Sequence, residues 1–161
     1  MNTFKNLFIL ILFSGFLLIG CGSSEEQGAT EQTEQTASSD LFDEPTEEEM
    51  RNSKGVGVIT SLELGPIDDA LASKGSEIFE SKCTACHKVD ARHVGPALAG
   101  VTERRTAEWI MNMILDPEKM VKEDAAARKL LEEYLSPMAN QSLTEEEARA
   151  ILEYFRKTDA S

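Results

Sequence analysis

Cys83-Thr84-Ala85-Cys86-His87 gathers two of the three cysteines and one of the two histidines of a 161-residue chain into five positions. Two thiols three residues apart on a helical turn project from the same side. The side chain that follows is an imidazole. This C-x-x-C-H order is the attachment sequence for c-type haem, in which both thiols form thioethers to the porphyrin vinyl groups and the histidine is aimed at the iron. Cys83 and Cys86 are therefore expected to carry one covalent haem c, and His87 to be the proximal iron ligand. A thioredoxin-like dithiol needs a strand before the motif, and no strand pattern precedes Lys82. A zinc site needs four ligands, and beyond these three only His93 is near, at an unfavourable spacing.

Working outward, the flanks read as helices. Asp68 or Asp69 caps a helix running to about Lys82, with Leu71, Gly75, Ile78 and Phe79 on roughly one face. Thr106 caps a second, with Trp109, Ile110, Met113 and Ile114 as its core stripe. Asp116-Pro117 stops that helix and starts a short turn at Glu118. Asp124 caps a third through Leu131 and Tyr134, ended before Ser136-Pro137. Thr144 and Glu147 form a capping box for the last, on which Ala148, Ile151, Leu152 and Phe155 recur at helical spacing. The expected fold is all-α: about four to five short helices over residues 68–158 around one covalently bound haem. Ninety residues of short helices make a thin core, which a buried cofactor would fill.

The N-terminal third has a different composition. Lys5 and the apolar run from Leu7 to Ile19 have the length of a signal-peptide core, so residues 1–20 read as an export signal. Leu18-Ile19-Gly20-Cys21 resembles a lipobox, which implies cleavage before Cys21 and lipidation of that cysteine. Residues 21–54 hold ten acids and two bases and almost nothing apolar, and read as an acidic disordered tether. Residues 55–67, with Gly55, Gly57, Gly65 and Pro66, read as an extended lead-in that wraps the domain edge. The whole chain has 29 acidic and 16 basic residues, a net charge of −13, which excludes a nucleic-acid binder that must neutralise phosphates.

From about Lys74 to Lys157 the chain resembles a single-haem class I cytochrome c. The matching residues are Gly75 and Phe79, Cys83-x-x-Cys86-His87, Gly95-Pro96-x-Leu98-x-Gly100, Pro137-Met138, and Tyr154-Phe155 on the last helix. The resemblance implies that the first and last helices cross closely, with Gly75 letting Tyr154 and Phe155 approach. It implies that the Pro96 carbonyl orients the ring of His87. It also places a distal methionine where Met138 stands, in a loop six residues before Thr144. Met113 fits a core stripe and Met111 lies on the same helix, so Met120 is the runner-up ligand. His93 reads as a rim or surface residue. Arg104 and Arg105 could neutralise haem propionates or be solvated; the same ambiguity holds for Tyr134.

Methionine and histidine together leave no open iron site, which implies an electron carrier rather than an enzyme, one that could also serve as a redox subunit of a reductase. The expected route runs from a membrane respiratory donor to an exported terminal reductase or oxidase, with lipid anchoring on the periplasmic or cell-surface side. Parts of the sequence look similar to small cytochromes c found with respiratory reductases such as nitrous oxide reductase; a cytochrome c oxidase or a peroxidase is nearly as good an acceptor. An open distal face would instead imply a haem-based gas sensor or weak peroxidase.

Overall fold

Asp68 accepts the backbone N–H groups of Ala70 and Leu71 and thereby starts a helix, α2, that covers Asp69–Lys82 and delivers Cys83 at its C-terminal end. The computed structural model describes residues 44–161. Their helices are α1 (Glu47–Asn52), α2, α3 (Val101–Arg104), α4 (Ala107–Leu115), α5 (Pro117–Glu123), α6 (Ala125–Tyr134) and α7 (Glu145–Asp159). No strand occurs among the described residues, so the class is all-α. None of these helices is long and apolar enough to cross a membrane.

Every helix but α3 starts at a residue whose side chain caps it. Thr106 caps α4, Asp116 caps α5 ahead of Pro117, and Asp124 caps α6. At α7 the hydroxyl of Thr144 accepts the N–H of Glu147 while the Glu147 carboxylate accepts the N–H of Thr144. Such caps stabilise a helix by about 1 kcal/mol each.

The closest helix pair is α2 and α7. A Cβ on Gly75 would lie 1.9 Å from the carbonyl oxygen of Ala150, so only glycine permits this crossing. The expectation that Gly75 admits Tyr154 and Phe155 is corrected here: it faces the backbone of α7, and Phe79, one turn on, meets the two aromatic rings at 5.4 and 5.7 Å. Ile151 and Leu152 are buried at the same crossing, together with Trp109, Ile110 and Met111 of α4. Each such side chain contributes roughly 1.5–3 kcal/mol by leaving water.

Two helices were not expected. α3 begins at Gly100, whose φ is +70°, and Asp159 at the end of α7 accepts the N–H groups of Gly100 and Thr102. α1 corrects the reading of residues 21–54 as one disordered tether. Thr46 and Glu49 form a capping box, and Met50 is buried in the core. The lead-in after it is extended and packed. Asn112, buried on α4, donates to the carbonyls of Lys54 and Ile59 and accepts the N–H of Ile59. The segment Asp116-Pro117 likewise opens a full helix, α5, where only a short turn was expected. The expected signal peptide of residues 1–20, the lipidated Cys21 and the tether up to residue 43 lie outside the described residues.

Candidate functional site

A cavity of about 770 Å³ opens among α2, α4, α6 and the loops at either end of them. Cys83, Cys86 and His87 form part of its wall. The helical turn carries on from α2 through the motif, since the N–H groups of Cys86 and His87 both donate to the carbonyl of Cys83. Thr84 adds a hydroxyl bond to the carbonyl of Glu80. The loop that follows is laced back on the motif: Gly95 donates to the carbonyl of Cys86, and Leu98 and Ala99 to that of Val89.

His87 is half-buried, with Nδ1 3.2 Å from the carbonyl oxygen of Pro96. That carbonyl makes Nδ1 the protonated nitrogen and leaves the Nε2 lone pair for a metal. Burial lowers the pKa of the ring, more than the Pro96 bond raises it, so the imidazole is neutral at neutral pH. Gly95 lies against the ring: a Cβ there would come within 2.5 Å of Cε1. Cys83 and Cys86 form no disulfide, and burial together with the neighbouring Cys86 raises the pKa of the Cys83 thiol. A raised thiol pKa is the opposite of what an activated redox dithiol needs.

Met138 is half-buried on the wall of this cavity, in the loop between α6 and α7. The loop leaves α6 at Leu135, whose φ is +50°, and is pinned where Asn140 donates to the carbonyl of Leu115 at the end of α4. Met113 is also on the cavity wall, whereas Met111 is buried in the core. Met120 is fully buried and does not reach the cavity; its sulfur accepts the N–H of Val56 at 3.2 Å. His93 is exposed and stands off the cavity wall.

The remaining polar candidates do line the cavity. Arg104 donates to the carbonyls of Ala97 and Ala99, and the guanidinium of Arg105 lies 5.1 Å above the Trp109 ring. Tyr134 carries Arg92 over its own ring at 4.2 Å. The indole N–H of Trp109 is taken by the buried carboxylate of Asp124 at 2.9 Å. Sequence reasoning missed Asn112, Asn140 and Asp159, which hold backbone rather than reacting atoms; a lone asparagine or aspartate gives no periodic signal.

The donor set fits a haem: two free thiols, a neutral imidazole with a free nitrogen, a thioether and a largely apolar cavity of suitable size. The comparisons with known proteins agree. The cytochrome c family model matches residues 72–159. The chain is 40% identical to a cytochrome c from Rhodothermus marinus of known structure, with a TM-score of 0.65 over 71% of this chain and 98% of that one. A cytochrome c domain from Pseudomonas putida is 32% identical, with a TM-score of 0.50 over 53% of this chain and 88% of that one. Cytochrome c-551 of Stutzerimonas stutzeri is 45% identical over 51 residues, which are 29% of this chain and 49% of that protein. A cytochrome c-553-like protein of Synechocystis is 36% identical over 45 residues, 27% of this chain and 43% of that protein. The chain thus spans about half or less of the length of these curated relatives. With a family model covering more than half of its residues, with helices that superpose on known members, and with Cys83 and Cys86 in the C-x-x-C-H segment, the chain belongs to the cytochrome c family as a single-haem class I member with covalently bound haem c.

Proposed function

We propose that this protein is a one-electron carrier whose haem iron is held between His87 and Met138, with Pro96 orienting the histidine. The observation that supports this reading is that His87 and Met138 line one cavity while the sulfur of Met120 is engaged by the backbone of Val56. Bound there, haem c supplies an Fe(II)/Fe(III) couple. The chain supplies the rest. Cys83 and Cys86 fix the porphyrin, the Pro96 carbonyl keeps the proton on Nδ1 and raises the basicity of Nε2, and the apolar wall excludes water. Met138 would supply a thioether ligand, which stabilises Fe(II) and raises the potential.

The carrier works outside the cytoplasm, between a membrane respiratory donor and an exported terminal reductase or oxidase, nitrous oxide reductase being one such acceptor. Cys21 anchors it through lipid on the periplasmic or cell-surface side, and the acidic stretch after it gives the domain reach. Its net negative charge steers it toward a basic patch on the partner, an attraction that weakens with salt. The mature N-terminus of the native protein tests the anchor: a chain that begins at an acylated Cys21 is expected, and a native chain that keeps residues 1–20 refutes it.

The optical spectrum of the holoprotein tests the carrier reading. Ferric protein is expected to show the weak thioether-to-iron charge-transfer band at the red end of the visible range, and reduced protein to resist CO at neutral pH. Ready CO binding with no such band would replace the carrier with a haem-based sensor or weak peroxidase.

A further inference from the structure

The family model's match begins at residue 72, so α1 and the segment behind it lie outside that match. They are nonetheless part of the cavity wall. Arg51 and Asn52 line it together with Arg104 and Arg105, and Arg105 feels the charges of both Arg51 and Arg104. α1 is held there from several directions. Met50 is buried in the core, the hydroxyl of Ser53 donates to Asp124, that of Thr106 donates to the carbonyl of Ser53, and Glu47 pairs with Lys129 of α6.

This wall carries cations without partners. Among the described residues Arg51, Arg104 and Arg105 form no ion pair with a carboxylate, although the chain has 29 acids to 16 bases. Arg104 is engaged only with backbone carbonyls and Arg105 with the Trp109 face. Burial lowers the pKa of Arg105; Asp124 and Glu47 raise it, and the charges of Arg104 and Arg51 lower it again. Glu47 and Glu48 also face the cavity, but the Glu47 carboxylate is held by Lys129. The indole N–H of Trp109 points to Asp124 and adds no donor. Guanidiniums crowded at one wall of an otherwise apolar cavity call for an anion that enters with the ligand, and haem brings two carboxylates.

We propose that Arg51 binds a haem propionate, so that α1 joins Arg104 and Arg105 in a cationic wall that closes the haem cavity. The inference rests on the haem occupying this cavity as proposed above. A planar fork with five donors suits a carboxylate, and a helix anchored at both Met50 and Ser53 holds the Arg51 backbone at the cavity.

The test uses full-length holoprotein with Arg51→Gln, Arg51→Lys and, as a control off the cavity, Arg128→Gln. Removing a cation beside the haem favours the ferric form, so Arg51→Gln should shift the Fe(III)/Fe(II) balance at fixed poise roughly two- to fivefold toward Fe(III). The shift should persist in high salt, whereas that of Arg128→Gln should be small and vanish there. The propionate bending mode in resonance Raman should move in Arg51→Gln and largely return in Arg51→Lys. An unchanged mode and potential, with haem and thioether band intact, overturn the inference and leave the carrier standing. A shift that comes with lost amide protection over residues 47–52 and is not restored by lysine marks a packing role and also overturns it. Absence of covalent haem from the unmodified protein would instead overturn the proposed function.

Discussion

The sulfur of Met120 accepts the backbone N–H of Val56 at 3.2 Å, and the same side chain fills the space over Gly55, whose φ is +69°. A thioether is a weak acceptor, but the contact gives the part-buried N–H of Val56 its partner. It ties the lead-in to α5 and keeps this methionine out of the cavity. Met138→Ala is therefore expected to abolish the charge-transfer band, admit CO and lower the potential. Met120→Leu should keep all three and cost only about 1 kcal/mol of stability. Spectra, CO titration and denaturation of both variants check the pair; loss of the band in Met120→Leu would reverse the ligand assignment.

Asn112 is expected to be the main clamp on the N-terminal lead-in. Its amide serves the carbonyls of Lys54 and Ile59 and the N–H of Ile59, and a Cβ on Gly57 would lie 2.2 Å from its oxygen. Asn112→Ala strands two buried backbone groups and one part-buried one and should cost roughly 2–4 kcal/mol. Amide exchange should quicken over residues 54–59 well before it does in α2 and α7. Uniform loss of protection throughout the domain would mean that the lead-in is not a separate unit of stability.

Gly75→Ala should be far more damaging than a helix-propensity gain suggests. Alanine is favoured over glycine in a helix by up to about 1 kcal/mol, but the new methyl would meet the Ala150 carbonyl and the N–H of Ile151, both backbone. Neither can turn aside as a side chain can. The net expectation is a loss of about 3 kcal/mol or more, seen as a lower denaturation midpoint and poor yield of haem-loaded protein. Ala72→Gly on the same helix, which removes a methyl without a clash, should cost less.

Glu153 is fully buried in α7 between Arg149 and Arg156, with oxygens 2.6 and 2.7 Å from their nitrogens. Burial raises its pKa, but the bonds and charges of the two arginines outweigh that and the net shift is downward. A carboxylate whose folded pKa is depressed contributes stability above its unfolded pKa and loses it as pH falls through the folded value. Glu153→Gln should therefore cost roughly 2–3 kcal/mol at pH 7, less than a fully buried pair because both arginines keep some water. The difference from the parent should shrink steadily as pH falls below the ordinary carboxylate range. A difference that is constant down to strong acid would refute the charge-based account.

The sequence alone determined what short range can determine. Caps at Asp68, Thr106, Asp124 and Thr144 place four helix starts correctly, because a capping side chain bonds backbone two or three residues away. The Cys83-x-x-Cys86-His87 spacing names the cofactor for the same reason: one helical turn sets which groups face it. α1 shows where legibility was lost by weighting. Thr46 and Glu49 form the same capping box as Thr144 and Glu147, but six residues in an acidic stretch hold a helix only because Met50 finds a core. Composition registered the solvated face and not the one buried side chain. α3 depends on Asp159, more than fifty residues away, for its first N–H groups. What only the tertiary structure decided is that Met138 lines the cavity while Met120 does not, that Gly75 serves the Ala150 backbone rather than the aromatic rings, and that Arg51 lines the same cavity as Arg104 and Arg105. Each is a meeting of residues distant in the chain. Periodicity and spacing carry no information about such pairs, because what brings them together is the packing of one helix on another.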